Sequence, residues 1–558
     1  MNQREETFEQ LGRSAEVPVL ILGGGVNGVG LFRELALQGV DCLLVDKSDF
    51  VAGASSKTSR MIHGGLRYLE SREFSLVRES LFERDRLLEN APHCVAPLKT
   101  TIPLPSRLGG LLRSMLIFLG LGVRPGQRGL VPVKFGLWFY DFITRKDRRT
   151  PRHYFTSRAE SLRTMPGLRS DIVGTATYWD AWIAQAERLC IDLIRDARAA
   201  KANCRAVNYV RPQRVEDGAV VLSNELSGES VAVRPQVVVN ATGAWVDITN
   251  ETLGCRTQYM GGTKGSHLVV DCPALHEALD GRMVYYQYAD GRVCIVFPFM
   301  DKVIMGSTDI RIDDPDEARC DADEIDYMLA TLRAVFPDVN VSRSDIVFVF
   351  CGVRPLPASE GDVLATVSRG HSLHVIEPDP QRPFPVYCMV GGKWTTFRAF
   401  AEQAADRILA RLGAARRCST ERVPIGGGKG FPETAAKKAA WIARVAGASG
   451  LDEARVRALL DRYGTSAESY ATGAGAEDER PLASLPDYTA GEITRIATDE
   501  YVEHLTDIVC RRSTIALLGQ ADRPVLSELA GIAGAALGWD RPRQDKEIQL
   551  ALDDLRLP

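Results

Sequence analysis

A glycine-rich turn near the N-terminus has the spacing of a phosphate-binding site. Gly23, Gly25 and Gly28 form the pattern G-x-G-x-x-G, and an acidic residue, Asp46, follows 18 residues after Gly28. Such a turn lets a pyrophosphate approach backbone N–H groups at a helix N-terminus, where the helix dipole favours anions. The acid can then accept hydrogen bonds from ribose hydroxyls. The pattern predicts a bound dinucleotide and leaves the choice between NAD and FAD open.

The segments around this turn have the order that the site requires. Val17 to Leu22 is typical of a buried strand, an apolar helical pattern follows the glycines, and Asp41 to Val45 predicts a second strand. Together they form the start of a βαβ unit. Val237 to Val239 repeats the strand pattern and leads into Asn240 to Gly243, so we expect it to rejoin the same sheet.

Six sequence blocks identify a family. The segment from Ala52 to Glu70 contains A-G-A-S-S-K and the complete run I-H-G-G-L-R-Y-L-E. It resembles the signature of the FAD-dependent glycerol-3-phosphate dehydrogenases, a membrane-associated, quinone-reducing family. Five further matches follow in the family's order, namely N-A-T-G-A-W at 240–245, K-G-S-H at 264–267, G-S-T-D at 306–309, G-V-R-P-L at 352–356 and G-G-K-W-T-T at 391–396. The resemblance extends from Val19 to about Phe397 and is less sharp in the C-terminal region.

This resemblance implies a fold, a cofactor and a reaction. The expected fold is α/β, with a Rossmann-like FAD-binding domain of the glutathione-reductase/D-amino-acid-oxidase type, an antiparallel-sheet substrate domain and an all-α C-terminal domain. The expected enzyme moves a hydride from C2 of sn-glycerol 3-phosphate to FAD, yields dihydroxyacetone phosphate and passes the electrons to a quinone. Cofactor contacts are assigned to residues within the matching motifs: Gly23, Gly25, Asn27, Gly28, Asp46, Lys47, Ser55, Ser56, Ser59, Gly243, Gly391, Gly392 and Thr395.

The reaction needs a base for the hydroxyl proton of the substrate. His63 is the predicted base, because an imidazole titrates near neutral pH, and His267 is the second candidate. A histidine that only donates to a backbone carbonyl is the structural alternative. The remaining histidines have no i, i+4 spacing, so no metal site is predicted.

The reaction also needs cations for a phosphate dianion. Arg67 and Arg354 can each present bidentate donors, and Lys393 is expected beside either the flavin or the phosphate. Without the family match, ordinary salt-bridging arginines would be the better explanation of the first two. The resemblance also implies that Thr308 is a polar group beside the substrate.

Two departures from the family pattern keep other substrates open. Ala184 to Glu187 replaces the usual aspartate pair followed by Ala-Arg, and the stretch from Arg107 to Val131 is longer than in shorter members. Another polyol phosphate, such as erythritol phosphate, is therefore an alternative substrate.

An amino-acid or amine oxidase on the same fold would also account for the cofactor motifs, and so would a non-catalytic flavin-binding or membrane-scaffold protein.

Composition limits the class of protein. The 558 residues suggest roughly three to four folding units at about 150 residues each, and 45% hydrophobic with 25% charged residues is typical of a globular chain. The net charge of −4 gives no global positive field for nucleic acid. The twelve cysteines are scattered without a C-x-x-C pair, so we expect reduced thiols. The polar N-terminus lacks the apolar region of a signal peptide, so we expect a cytoplasmic protein. A homodimer is among the oligomeric states left open.

We predict two large regions. The FAD-dependent oxidoreductase region spans 1–415, with FAD-binding segments at about 16–100, 150–255 and 345–415 and substrate-domain segments at about 101–149 and 256–344. Residues 416–558 form a helical cap domain. Within the first region, Met283 to Ser307 predicts three antiparallel strands joined by two tight turns, and Asp321 to Val335 predicts a helix.

One segment predicts contact with a membrane. Arg107 to Arg152 contains ten Lys or Arg against two acids, interleaved with aromatic and aliphatic residues. This combination is typical of a segment on an anionic membrane surface, and no stretch reaches the ~20 apolar residues of a spanning helix. We therefore expect a protein peripheral to the inner face of the cell membrane, with a solvated surface loop and a core helix as the alternative.

Overall fold

The computed structural model describes residues 3–69, 73–109, 129–145, 148–358, 370–473 and 479–558. The strands of these ranges are β1 (Glu16–Leu22), β2 (Cys42–Val45), β3 (Met61–Ile62), β4 (Val95–Leu104), β5 (Tyr154–Ser157), β6 (Gly174–Ile183), β7 (Arg205–Val207), β8 (Val210–Glu216), β9 (Ala219–Asn224), β10 (Ser230–Asn240), β11 (Thr263–Val270), β12 (Met283–Gln287), β13 (Val293–Phe299), β14 (Lys302–Gly306), β15 (Ile310–Arg311), β16 (Ile346–Arg354), β17 (His371–Ile376) and β18 (Val386–Gly391).

The α-helices of the same ranges are α1 (Gln3–Arg13), α2 (Val26–Leu37), α3 (Phe74–Asn90), α4 (Leu130–Ile143), α5 (Arg158–Thr164), α6 (Ala186–Ala200), α7 (Val246–Thr252), α8 (Pro273–Leu279), α9 (Ala322–Val335), α10 (Phe397–Arg411), α11 (Ala435–Ser449), α12 (Glu453–Tyr463), α13 (Ala467–Thr472), α14 (Ala490–Asp499), α15 (Leu505–Asp507), α16 (Arg523–Leu537) and α17 (Arg541–Asp554).

The first sheet has parallel strands at its centre. Its strand order is β17-β18-β10-β1-β2-β7, with β9 paired to β10, β8 paired to β9, and β17 antiparallel to β18. The register sets Leu22 opposite both Val45 and Asn240, and Asn240 opposite Cys388. The carboxyl ends of four neighbouring strands therefore meet at one edge, which is where ligands bind in open α/β sheets.

The apolar run of β1 explains its central place. Val19, Leu20 and Ile21 are fully buried, as expected for a parallel strand covered on both faces. Side chains of α2, α6 and α10 fill the core on one face, and those of α1 and α7 contribute to the core on the other. The predictions of a βαβ start and of a strand at Val237 to Val239 rejoining it in parallel are confirmed.

The second sheet is mainly antiparallel. Its order is β15-β11-β14-β13-β12-β4-β6-β3, with β16 paired to β11 and β5 paired to β6. The three predicted strands between Met283 and Ser307 are β12, β13 and β14, and the helix predicted at Asp321 to Val335 is α9, so both predictions are confirmed. Ile325, Leu329 and Leu332 of α9 pack into the core below this sheet.

This sheet draws on more of the chain than the sequence indicates. β3, β4, β5, β6 and β16 belong to it, although β3, β5, β6, β16 and the first part of β4 fall inside segments assigned to FAD binding. The reason is a long-range pairing, in which β4 and β6 run antiparallel from Val95 opposite Ile183 to Leu104 opposite Gly174. Register between strands so far apart in sequence is not readable from either strand alone.

The C-terminal region of the described chain is helical from α11 to α17, around two apolar cores. Buried ion pairs join it to the dinucleotide side, because Arg511 and Arg512 both bind Asp49 close to the end of β2. Burial alone would raise the pKa of Asp49, but the two guanidinium groups lower it to about 2. The predicted fold class is confirmed, whereas α1 and α17 were not predicted.

Candidate active site

The glycine turn joins β1 to α2 at the carboxyl edge of the first sheet. Gly23 has a φ of +103°, and a Cβ on Gly28 would lie 1.9 Å from the carbonyl oxygen of Gly23. At the start of α2, the Val26 N–H donates to the hydroxyl oxygen of Ser55, at 2.9 Å. The turn thus brings bare backbone to a helix N-terminus, which suits a bound pyrophosphate.

Asp46 lies beside this turn, directly after β2. Its carboxylate accepts hydrogen bonds from the Gly24 N–H at 2.7 Å and from the Ser48 N–H at 2.8 Å. Burial raises the pKa of Asp46 to about 6. The acid predicted to bind ribose is therefore held against the glycine turn by the Gly24 N–H and fixed locally by the Ser48 N–H.

The G-G-K block reaches the same edge from the end of β18. Gly391 and Gly392 have φ values of +76° and +97°, and the Gly391 carbonyl accepts a hydrogen bond from Asn27 Nδ2 at 3.4 Å. Asn27 Oδ1 is buried and, within the described residues, has no hydrogen-bond partner. Trp394 Nε1 donates to the Ser55 carbonyl at 3.1 Å. A buried amide oxygen between two glycine-rich turns fits a cofactor, so these residues suit FAD.

The turn that carries His63 contacts this block. The Thr395 hydroxyl oxygen accepts from the His63 N–H at 3.2 Å and lies 3.3 Å from the His63 carbonyl oxygen, to which it can donate. The His63 ring lies 6.2 Å from the Tyr68 ring, between centroids, at an interplanar angle of 30°. The backbone of the predicted base is thus tied to a predicted cofactor residue.

Three buried side chains that sequence reasoning missed hold the next residue, Gly64. Its N–H lies 3.0 Å from Asp180 Oδ1 and 3.1 Å from the Tyr140 hydroxyl, which also donates to Asp180. Arg84 Nη1 lies 3.3 Å from the same carboxylate oxygen. The one available signal was an aspartate at the centre of the apolar strand β6, since a buried carboxylate needs partners.

Lys393 lies over the same turn. Its Nζ donates to the Ser80 hydroxyl at 2.7 Å and is 4.7 Å from the centre of the Tyr68 ring. A Cβ on Gly65 would be 3.1 Å from this nitrogen. Arg67 belongs to the 3₁₀ helix Leu66–Leu69, but its side chain lies outside the described part of the structure, so its role stays a prediction.

Arg354 ends β16 and lies in a polar cluster of the second sheet. It donates to Asp309 Oδ1 at 2.9 Å, to the Ser307 hydroxyl at 2.9 Å and to the Thr308 carbonyl at 3.0 Å. Its guanidinium packs over Gly265, where a Cβ would lie 2.2 Å from Nη2. The cation is therefore held in one position, with Asp309 as its counter-ion.

Thr308 uses its hydroxyl within the protein. The oxygen accepts from the Ser266 N–H at 2.9 Å and donates to Glu324 Oε1 at 2.5 Å, and the residue is buried. Its carbonyl accepts from Arg354. These contacts place Thr308 behind the arginine as a support, and its predicted place beside the substrate stays a prediction.

His267 is buried on β11 next to this cluster. Its Nε2 is 2.7 Å from the Ser59 hydroxyl, its ring stacks on Phe350 at 4.9 Å between centroids, and its Nδ1 has no hydrogen-bond partner within the described residues. Burial, and then the cations Arg354 and Arg60, lower its pKa to about 3. The ring is therefore neutral at physiological pH.

The departure at Ala184 to Glu187 has a clear local consequence. Arg60 Nη2 and Nη1 lie 2.7 and 3.1 Å from the two carboxylate oxygens of Glu187, and Nη1 also donates to the Ala184 carbonyl at 2.8 Å. Arg60 is buried and has a φ of +54°. This ion pair fixes the segment between Ser59 and His63, which connects the surroundings of His267 to those of His63.

Three predicted cofactor residues, Ser56, Lys47 and Gly243, lie next to residues already described or in the loop after β10. The Ser56 hydroxyl donates to the Gly53 carbonyl at 3.2 Å, and Gly243 has a φ of +64° in the loop that follows β10. Lys47 follows Asp46 and forms an ion pair of 2.7 Å with Asp316. The predicted roles of all site residues stay predictions, although their motifs converge on one region.

One other cluster carries metal-ligating residue types. In the described residues, the ligand atoms of His93, Cys94 and Asp192 lie within 4.8 Å of one another, with His93 Nε2 at 3.0 Å from Asp192 Oδ2. Burial alone would lower the pKa of His93, but Cys94 and Asp192 raise it to about 10. An imidazolium paired with a carboxylate explains this cluster.

The described part of the segment predicted to meet a membrane contains α4. Three aromatic side chains of this helix face outward, namely Phe135, Trp138 and Phe142, which are 70%, 57% and 46% exposed. Residues 110–128, 146 and 147 of the predicted segment lie outside the described residues. None of the helices in the described ranges is long and apolar enough to span a bilayer.

Comparison with known families matches nearly the whole chain. Residues 18–407 match the family described as FAD dependent oxidoreductase, and residues 418–544 match the C-terminal domain of alpha-glycerophosphate oxidase.

Several relatives are similar along most of their length. A glycerol-3-phosphate dehydrogenase of Synechocystis is 33% identical over 95% of both chains, and glycerol-3-phosphate dehydrogenase 2 of Mycobacterium tuberculosis is 32% identical over 98% of this chain and 89% of its own. The solved glycerol-3-phosphate dehydrogenase of Bacillus halodurans complexed with FAD superposes with a TM-score of 0.74 over 99% of this chain and 97% of its own, at 22% identity.

Proposed function

Because this chain belongs to the FAD-dependent oxidoreductases, and within them to the glycerol-3-phosphate dehydrogenases, we propose that it oxidises sn-glycerol 3-phosphate to dihydroxyacetone phosphate. The observation that carries this proposal is the position of the G-G-K block. It contacts the glycine turn through Asn27 and Ser55, and it contacts the His63 turn through Thr395 and Lys393. These contacts support the proposal that the predicted base and one predicted cation, Lys393, lie beside the cofactor in a single site.

The chemistry divides between cofactor and protein. Bound FAD supplies the acceptor for the hydride that leaves C2 of the alcohol. His63 takes the hydroxyl proton, so that the alcohol becomes a ketone by losing one hydride and one proton. Thr395 and the Asp180–Tyr140 pair fix the backbone on both sides of this histidine, which sets the position from which the imidazole extends.

The cations select a phosphorylated substrate. Lys393 and Arg354 are held in single positions by Ser80 and Asp309, and Arg67 follows His63 by four residues. Charge-assisted hydrogen bonds from such groups suit a dianion better than the single carboxylate of an amino acid. This arrangement favours a polyol phosphate over an amine substrate.

An anaerobic reduction experiment tests the substrate class. Holoenzyme is mixed with sn-glycerol 3-phosphate, erythritol 4-phosphate, glycerol or an amino acid, and flavin absorbance is followed. We expect rapid bleaching with sn-glycerol 3-phosphate and almost none with glycerol, because glycerol lacks the dianion. Faster bleaching by erythritol phosphate would transfer the proposal to that substrate. Bleaching by amino acids alone, or by nothing in the panel, would contradict it.

The acceptor and the location belong to the same proposal. We propose that electrons pass to a membrane quinone and that the protein binds the inner face of the cell membrane through α4. The exposed rings of Phe135, Trp138 and Phe142 form a continuous row, with centroid distances of 6.2 and 5.8 Å, and Arg145 lies 4.4 Å from the Phe142 ring. An apolar stripe edged with cations is the chemistry that an anionic lipid surface recognises.

A further inference from the structure

A short turn of the second-sheet region reaches the dinucleotide-binding side. Asp316 belongs to the 3₁₀ helix Pro315–Glu317, between β15 and α9. Its Oδ1 accepts a hydrogen bond from Lys47 Nζ at 2.7 Å and another from Trp245 Nε1 at 2.9 Å. Lys47 Nζ also lies 4.5 Å from the centre of the Trp245 ring. Two FAD-side residues therefore share one acidic partner from the other sheet region.

Both FAD-side residues lie next to predicted cofactor contacts. Lys47 follows Asp46, whose carboxylate holds the Gly24 N–H. The Trp245 ring lies 3.5 Å from the Cβ position of Gly53, which is two residues before Ser55 in the sequence. The three side chains therefore meet on the side where the ribose acid and the glycine turn lie.

The turn that carries Asp316 is anchored to the second sheet. The Asp316 N–H donates to Asp314 Oδ1 at 2.9 Å, which fixes the turn itself. Before the turn, the Ile312 N–H donates to the Gly262 carbonyl at 3.3 Å, and after it Lys264 Nζ donates to the Arg319 carbonyl at 2.8 Å. Asp316 is thus fixed to the second-sheet region at both ends, so its bonds to Lys47 and Trp245 span the two regions.

We propose that Lys47, Trp245 and Asp316 form a clasp that closes the adenosine end of the FAD site and slows the release of FAD. The side chains of Lys47 and Asp316 are 39% and 60% exposed, so the clasp lies at the surface, where it can open without disturbing a core. An exposed ion pair and a cation over a tryptophan each contribute modestly, so the clasp affects the rate of cofactor exchange rather than folding.

Measurement of FAD release tests the clasp. Purified holoenzyme is diluted, rapidly desalted at intervals, and the FAD retained per polypeptide is read from absorbance. We expect Asp316→Ala to release FAD about threefold to tenfold faster than the wild type, from the modest strength of the contacts it loses. Asp316→Asn keeps an acceptor for Trp245 but loses the charge that binds Lys47, so its rate should be intermediate.

A neighbouring variant and salt separate the clasp from a general effect on the turn. Glu317→Ala alters an exposed acid of the same 3₁₀ helix and should release FAD at the wild-type rate. Salt screens exposed ion pairs, so added salt should accelerate release from the wild type more than from Asp316→Ala.

Three results would overturn the proposal. The first is that Asp316→Ala releases FAD at the wild-type rate, and the second is that Glu317→Ala accelerates release as much as Asp316→Ala does. The third is that the Asp316→Ala apoprotein melts at a lower temperature, to an extent that accounts for its faster release of FAD. In the last case the contacts would support the fold rather than the cofactor.

Discussion

The backbone of His63 is fixed from two directions, by Thr395 before it and by the contacts of Gly64 after it. A base held in this way can act in the chemical step without first reorienting. We expect His63→Ala to slow flavin reduction by roughly 10²–10⁴-fold, the usual range for the loss of a general base. Stopped-flow reduction by sn-glycerol 3-phosphate, normalised to bound FAD, measures this effect.

The matched control is His276→Ala, a histidine that binds the Met300 carbonyl on the surface and should leave the rate unchanged. If His63→Ala lost FAD or stability while its rate per flavin fell less than about threefold, the histidine would be structural. His267, the second candidate from the sequence, would then be tested in the same way, although its pKa of about 3 makes it a weaker base.

We expect Asp46 to make the affinity for FAD depend on pH. Its pKa of about 6 in the protein without cofactor means that the carboxylate is ionised above pH 6 and protonated below it. Only the ionised form accepts hydrogen bonds on both oxygens, so the affinity for FAD should fall as the pH drops below 6, by at most roughly tenfold per unit. Titration of apoprotein with FAD between pH 5 and 8 measures this.

Asp46→Asn provides the comparison for that titration. The amide cannot titrate, so this variant should bind FAD more weakly at pH 7.5 and show no break near pH 6. A wild-type affinity that stays constant from pH 8 to pH 5 would show that Asp46 does not bind the cofactor as a carboxylate.

Sequence and structure agree best for residues whose role follows from local spacing. Gly23, Gly28 and Asp46 belong to one βαβ unit, so their spacing determines their geometry. Asp180 and Asp316 could not be assigned in this way. Their partners, Gly64 and Lys47, lie far away in sequence, and strand pairing and loop anchoring bring them together only in the folded chain.

The β1–α2 connection depends on the absence of side chains. We expect Gly28→Ala to abolish stable FAD binding, because its Cβ would lie 1.9 Å from the Gly23 carbonyl oxygen, far inside van der Waals contact. The turn would have to open, and this turn is the one predicted to present backbone donors to the pyrophosphate. FAD content after purification and a titration of the apoprotein measure the loss.

Gly447→Ala is the matched helix control. It lies in α11, and among the described residues no atom beyond the adjacent residues and the helix's own backbone lies within 4 Å of its Cβ position, so alanine should preserve FAD content and raise stability slightly. Normal FAD binding by Gly28→Ala would mean that the turn relaxes easily and that the close approach is not required.

Helix α4 has two faces with different tasks. Val133, Leu137 and Tyr140 are buried, and the hydroxyl of Tyr140 reaches the Gly64 N–H. The opposite face carries the exposed aromatic row. The sequence indicated an amphipathic aromatic segment but not which rings point inward, because most of the helix is apolar and gives little periodic contrast. One helix therefore contacts both the predicted active site and the solvent.

At the scale of the whole molecule, the fold was predictable from the sequence where family motifs, or the periodicity of apolar residues along a segment, indicate the structure. The two sheets and the helical C-terminal region were expected, and the meander from β12 to β14 was placed correctly. The N-terminal helix α1 was missed because its residues look like a polar tail. Its stability comes partly from Arg4, which binds Asn224 Oδ1 at 2.6 Å, a contact that exists only once β9 has folded.

The exposed row of α4 predicts how the whole molecule associates with a membrane. We expect the protein to sediment with vesicles containing anionic lipid at low salt, and replacing both Phe135 and Trp138 by serine should weaken this binding at least about tenfold, because each buried ring contributes roughly 1.5–3 kcal/mol. Flavin content should be unchanged, since both side chains point into solvent.

The dependence of binding on charge, and a control substitution elsewhere on the surface, show whether α4 is the membrane contact. Lys134, Arg145, Arg148 and Arg149 lie on or just after α4, and each cation near an anionic surface contributes about 1 kcal/mol, so binding should weaken with salt and with neutral lipid. Ile248→Ser removes a half-exposed apolar side chain elsewhere and should leave binding intact. If the double variant bound vesicles as tightly as the wild type, α4 would not be the membrane contact, and its aromatic face would have to be covered by something other than lipid.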